Sequence, residues 1–207
     1  MLLINNNRSK AYLQNLVLNG FIPENIIVLD DKNIVLPEHT ENDKFITQKT
    51  KQILIRKVDK LKLEFDEKEH IISTITKNNI NHTILNCIDV NSDIVLSEVK
   101  KIQEDYIVYS GPGGTILSKK ILNQNKKFIH VHPGILPKHR GSTTFYYSYL
   151  IDYSVGASVI FMNEKIDQGP IIYSESFLIE LIAPGLLLAN TYILAGNNVG
   201  LCPQCIS

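Results

Sequence analysis

Net charge is the first thing this chain lacks. Its 21 Lys and Arg residues balance 21 Asp and Glu residues, so there is no global basic field of the kind that gathers nucleic acid. Cysteine is scarce: Cys87, Cys202 and Cys205 make no disulfide framework, and C-x-x-C alone is half of a zinc pattern. No apolar run reaches membrane-spanning length, and the opening M-L-L-I-N-N-N-R carries no signal-peptide pattern. A cytoplasmic protein with neither membrane nor nucleic acid as partner is expected. Internal repeats and low-complexity linkers are also missing. From Leu181 onward the chain has no Asp, Glu, Lys, Arg or His at all. That break divides an expected domain, residues 1–180, from an atypical tail, residues 181–207, read as a truncated or replaced C-terminal portion.

What remains is a globular composition. The 207 residues are 44% hydrophobic and 20% charged, enough for one domain with a sizeable core. Strand and helix patterns alternate along it. Leu2–Ile4 reads as a strand and Asn5–Ser9 as a polar turn. Ala11, Leu13, Leu16, Val17 and Leu18 then give a helix an apolar face, and Gly20 stops it. Further strands are predicted at Ile26–Leu29, Ile34–Leu36, Thr83–Cys87 and Tyr106–Tyr109. Helices are predicted over Phe45–Leu63, Lys68–Lys77, Ser92–Ile102 and Leu117–Leu122. Later come an aromatic-rich helix at Thr143–Leu150, a strand at Gly156–Met162, and Pro170–Tyr173 leading into an extended Ser174–Phe177. The expected class is therefore α/β: a Rossmann-like open, mostly parallel sheet with helices on both faces.

One stretch stands apart, Phe128–Gly141, F-I-H-V-H-P-G-I-L-P-K-H-R-G. Lys127–His132 has the β-branched and aromatic residues of a buried strand. Alternation puts His130 and His132 on one face, and Pro133 ends the strand. Imidazoles at the carboxyl end of a strand in an open sheet lie where ligands bind. A second stretch, Phe161–Ile171, reads F-M-N-E-K-I-D-Q-G-P-I and supplies an acidic residue, Asp167. His-x-His with Asp167 and His139 is also a metal-binding set, so a metal-dependent amidohydrolase fits these side chains as well. The loop S-G-P-G-G-T after Tyr109 matches neither G-x-G-x-x-G nor a P-loop.

The run H-P-G-I-L-P-K-H-R-G resembles the H-P-S-L-L-P-x-x-R-G signature of formyltransferases that use 10-formyltetrahydrofolate. The D-Q-G run resembles that family's second signature, in the same order along the chain. The resemblance implies formyl transfer from 10-formyltetrahydrofolate, as cosubstrate, to a small-molecule primary amine, with no metal. It identifies His132 and Asp167 with the family's catalytic His and Asp. At His130 the family has Asn, whose amide helps hold the formyl oxygen; an imidazole N–H could serve as that donor. By the same resemblance Ser110, Gly111, Gly113 and Gly114, with Asp167, border the folate cleft. Arg140 matches the family's Arg and would meet an anionic group. Asn6 and Arg8 follow the first strand, where a substrate phosphate could sit at a helix start, and Tyr146 is a candidate for stacking on a substrate ring.

The acceptor, too, follows only from what the resemblance implies. Relatives acting on initiator tRNA carry an extra C-terminal domain, and the glycines of purine-pathway relatives are absent after the first strand. A nucleotide-linked amino sugar is the remaining expectation, and a homodimer stays open. The same residues would also suit a hydrolase that releases formate from the folate, or a catalytically impaired relative that only binds.

Overall fold

In the computed structural model, residues 1–30, 65–141 and 144–178 are described. The expected strand Ile34–Leu36, the expected helix Phe45–Leu63 and the tail 181–207 with Cys202 and Cys205 lie outside them. The chain runs β1 (Leu2–Ile4), α1 (Asn7–Leu18), β2 (Asn25–Leu29), α2 (Ile71–Lys77), β3 (Asn81–Leu85), α3 (Asp93–Lys101) and β4 (Tyr106–Ser110). It continues with α4 (Lys119–Leu122), β5 (Lys127–His132), α5 (Thr144–Asp152), β6 (Ser154–Phe161) and β7 (Ile171–Leu178). These strands form one sheet in the order β3-β2-β1-β4-β5-β6-β7. The first five are parallel, and β6 and β7 add antiparallel to them. The sheet is thus Rossmann-like, open and mostly parallel.

Both faces are covered. Tyr12, Leu13 and Leu16 of α1 and Ile71 and Ile75 of α2 pack on Leu3, Val28, Ile129 and Val131. On the opposite face Val95 and Val99 of α3 and Ile121 of α4 pack on Leu2, Ile27, Ile107 and Phe128. A strand buried on both faces needs apolar residues in succession, which is why β5 reads F-I-H-V-H with Phe128, Ile129 and Val131 all buried. Its histidines share the face of Phe128, further along toward the carboxyl end.

Local chemistry sets the ends of α1. Asn6, extended in backbone, accepts the Ser9 N–H at 2.9 Å, so the helix begins within the expected polar turn. At the other end Phe21 N–H bonds Leu16 O, Gly20 N–H bonds Val17 O, and Gly20 takes φ +83°. This paired closure requires a left-handed residue that glycine provides. Tyr12 fixes the helix to the central strand by donating to Val131 O at 3.1 Å.

Candidate active site

β5 ends at His132, and the chain beyond it is folded tightly back on the ring. A Cβ on Gly134 would lie 3.0 Å from His132 Nε2 and 3.0 Å from Thr144 Oγ1, so the glycine of the H-P-G run gives the imidazole its space. Ser158 of β6 secures this loop: its hydroxyl donates to Gly134 O at 2.8 Å and accepts from Leu136 N–H at 3.0 Å and Ser174 Oγ at 2.8 Å. The Leu136–Pro137 peptide is cis. Further out, Asp152 at the end of α5 binds Lys138 Nζ and, at 2.7 Å, His139 Nε2. These two bonds hold its carboxyl below the usual range.

Asp167 comes from the β6–β7 connection, with a backbone φ of +50°. Short polar side chains tolerate this left-handed region better than most. Gly169 makes the turn feasible, because a Cβ there would fall 1.6 Å from Phe161 O. The D-x-G spacing is therefore a backbone requirement as well as a motif.

The turn delivers Asp167 Oδ2 to 3.4 Å from His132 Nδ1 and 2.8 Å from the Gly141 N–H, which donates to it. Burial pushes the Asp167 carboxyl up, but the His132 contact, the Gly141 N–H and, in the acid range where His130 is protonated, the charge of that ring pull it further down, leaving it below its ordinary value. His132 Nε2 meets His139 O at 2.6 Å. A carbonyl only accepts, so Nε2 is the donor there and Nδ1 is the nitrogen shared with the carboxylate. That coupling suits proton transfer to and from a bound group.

The pair opens on a cleft of about 340 Å³ whose walls include Arg8, Tyr109, the Gly111–Thr115 loop, His130 and Met162. This is the size of a small-molecule site. Arg8 reaches across from α1, donating from Nε to Ser110 Oγ at 3.1 Å and from a terminal nitrogen to Gly111 O. The fold brings Arg8, Gly111, Gly113, Gly114, His130, His132 and Asp167 to one cleft. Ser110 stands behind its wall, buried, its hydroxyl bound by Arg8 and Ser9. Asn6, Arg140 and Tyr146 are not on that wall: Asn6 caps α1, Arg140 is exposed on the loop, and Tyr146 is exposed on α5. His139, a member of the metal-binding set by sequence, turns its ring to Asp152. Among the described residues no three His, Cys, Asp or Glu side chains gather as a metal set.

Tyr109 belongs to no motif in the sequence. It lies at 3% exposure on the cleft wall, its hydroxyl has no hydrogen-bond partner among the described residues, and burial raises its pKa to about 12 against the lowering charge of Arg8. The available signal is an aromatic residue two positions before a glycine on one strand face. A Cβ on Gly111 would sit 1.9 Å from that hydroxyl. By contrast, Gly113 and Gly114 face open space where a side chain would intrude.

A family model described as "Formyl transferase" matches residues 37–181. A methionyl-tRNA formyltransferase of Wolbachia sp. subsp. Drosophila simulans (strain wRi) is 41% identical over 69 residues, covering 32% of this chain and 23% of that protein. The matched stretch is thus less than a quarter of that curated relative's length. Phosphoribosylglycinamide formyltransferase from Streptococcus pneumoniae TIGR4 superposes with a TM-score of 0.63 at 10% identity, over 99% of this chain and 95% of that one. An N-formyltransferase from Helicobacter canadensis, solved in complex with folinic acid and dTDP-3-aminofucose, superposes with a TM-score of 0.57 at 16% identity, over 96% and 60%. At those identities the likeness is one of fold.

Proposed function

This chain belongs to the formyl transferase family, and from that premise we propose that it moves a formyl group from 10-formyltetrahydrofolate to a primary amine of a small molecule. One observation carries the reading: His132 and Asp167, far apart in sequence, meet at 3.4 Å beside a cleft with open glycine walls. The residues suit a reduced folate. Gly113 and Gly114 leave room for a flat ring system against backbone, and the cleft volume fits such a ring. When bound, the folate supplies an activated formyl group.

The protein's part is orientation and proton traffic. Attack by the amine forms a C–N bond and leaves an extra proton on nitrogen. The Asp167–His132 pair accepts that proton and returns it as the C–N bond to the folate breaks. His139 O, accepting from Nε2, orients the His132 ring, and Asp167, held ionised below its usual range, balances the imidazolium charge once Nδ1 takes up the proton. Loss of such a positioned proton carrier lowers rates by about 100- to 10,000-fold.

For the acceptor, we favour a nucleotide-linked amino sugar. Support comes from the Helicobacter canadensis fold relative, which binds dTDP-3-aminofucose, and from the balanced charge of this chain. The reaction is assigned to the cytoplasm. No helix among the described residues is long and apolar enough to cross a membrane.

The test is a radiolabelled formyl-transfer assay with 10-formyltetrahydrofolate against three acceptors: a nucleotide-linked amino sugar, glycinamide ribonucleotide and methionyl-tRNA. Transfer to the sugar, lost on His132→Ala and on Asp167→Ala, is expected. Formate released without any amine would reassign the chain as a hydrolase, and unchanged turnover in both variants would remove the pair from the chemistry.

A further inference from the structure

His130 stands where the family signature has Asn, and the natural expectation is that its N–H substitutes for the amide as a donor to the formyl oxygen. The ring's surroundings give it the opposite polarity. His130 Nδ1 lies 3.3 Å from Tyr109 O. That carbonyl can only accept, so in the neutral ring the proton is on Nδ1 and Nε2 carries a lone pair. Among the described residues Nε2 makes no hydrogen bond, and the ring lines the cleft.

Only the doubly protonated ring would offer a donor from Nε2. Burial opposes that form first, and the Arg8 guanidinium and the His132 ring oppose it next. The Tyr109 carbonyl and Asp167 favour it, yet the balance holds the pKa at about 4. Of the other groups around the cleft, Tyr109 is un-ionised at neutral pH and contributes no charge.

We propose that His130 Nε2 is a hydrogen-bond acceptor for the substrate amine, receiving one of its N–H groups, and that it is not the donor to the formyl oxygen. This rests on the formyl-transfer reading above and adds a specificity to it. Asp167 Oδ1 takes no hydrogen bond from the described residues, because Oδ2 receives the Gly141 N–H and faces His132. Two open acceptors on one cleft match the two hydrogens of a primary amine. A hydroxyl acceptor would satisfy only one of them, so the same pair selects amine over alcohol.

The step balances without a proton on His130. The amine lone pair forms the bond to the formyl carbon as the carbonyl π pair moves to oxygen. A proton on the new C–N nitrogen passes to the Asp167–His132 pair. Collapse of the oxyanion breaks the bond to the folate nitrogen, which keeps the electron pair and takes that proton. His130 meanwhile holds an N–H and so aims the amine lone pair at the carbon. A base this weak orients the nucleophile and does not deprotonate it.

Two measurements on the full chain test this. Long-range proton–nitrogen NMR of histidine-labelled protein at pH 7, with His130 assigned by its loss in His130→Asn, should give the neutral Nδ1–H tautomer. An Nε2–H tautomer or an imidazolium at pH 7 overturns the proposal whatever the activity. Steady-state kinetics of His130→Phe then separate the roles. Loss of an acceptor should raise KM for the amine about tenfold, well beyond any change in KM for 10-formyltetrahydrofolate. Loss of an oxyanion donor would instead lower kcat by about 100- to 1000-fold with KM for the amine unchanged, and that outcome also overturns it. Wild-type protein that shows the Nδ1–H tautomer but formylates no amine rejects the formyl-transfer reading, and the assigned role of Nε2 falls with it. Should His130→Phe not fold, the tautomer and the amine-over-alcohol preference of the wild type decide the question.

Discussion

At Gly111 a single added methyl would have nowhere to go. Its Cβ would meet Tyr109 Oη at 1.9 Å and Tyr109 Cζ at 2.2 Å, and the Tyr109 ring is held in the core beside Leu117, Ile121 and Phe128. Gly111→Ala should therefore destabilise the fold by about 1–3 kcal/mol, the range for overpacking a filled site. Tyr109→Phe should behave differently. The hydroxyl it removes is buried without a partner among the described residues, and an unmet polar group carries a desolvation penalty of about 1–3 kcal/mol. The variant should match or exceed wild-type stability in urea unfolding. A substantial loss would mean that the hydroxyl has a partner in solution. Nothing in the letters Tyr-Ser-Gly announces this arrangement. The alternation places residues 109 and 111 on one side, but only the packed ring makes the glycine obligatory. His130 is legible to the same extent: its face follows from its spacing to His132, whereas its proton position follows from the Tyr109 carbonyl, a backbone atom on the neighbouring strand.

Among the elements, the β5 loop and β6 decide how firmly the site is held. Ser158 uses all three hydrogen-bonding capacities of its hydroxyl on Gly134, Leu136 and Ser174. Ser158→Ala leaves the Leu136 N–H and Gly134 carbonyl without that partner inside the protein. A loss of about 1–3 kcal/mol is expected by denaturant titration, with faster hydrogen exchange at residues 134–141. Slow exchange retained there would show that the loop is held chiefly by Asp152 and by the Thr144 hydroxyl, which donates to Pro133 O at 2.9 Å. Strand β5 is legible in the sequence to the residue, because its apolar run is buried on both faces. For β3 the expectation, Thr83–Cys87, is displaced from the strand found at Asn81–Leu85. This edge strand exposes Asn81, His82, Thr83 and Ile84, so its hydrophobic pattern had little to register. The antiparallel course of β6 and β7 was equally hidden. A strand's direction leaves no trace in its alternation, and the two stretches read as Pro170–Tyr173 and Ser174–Phe177 are one strand, Ile171–Leu178.

For the molecule as a whole, the groups that build the site also set its response to acid. His130 has a native pKa of about 4 against an unfolded value of about 6.5. Between those values the unfolded chain binds a proton that the native protein refuses, so stability rises with pH across this window. The stabilisation of the neutral native ring is fully present above about pH 6.5 and is lost as pH falls toward 4. Asp167, also lowered from its ordinary value of 3.8, adds a loss of the same sign at still lower pH, where its partnered carboxylate must be protonated. Because the His130 ring is partly open to the cleft, solvent screening trims its share to on the order of 2 kcal/mol at pH 4.5. His130→Asn removes the titration and leaves every other ionisable group in place. Urea midpoints measured between pH 4.5 and 7.5 should therefore fall more steeply toward acid in the wild type than in the variant. Parallel curves would mean that His130 titrates alike in the folded and unfolded chain, and that the cleft neither excludes water from the ring nor brings the Arg8 charge to bear on it.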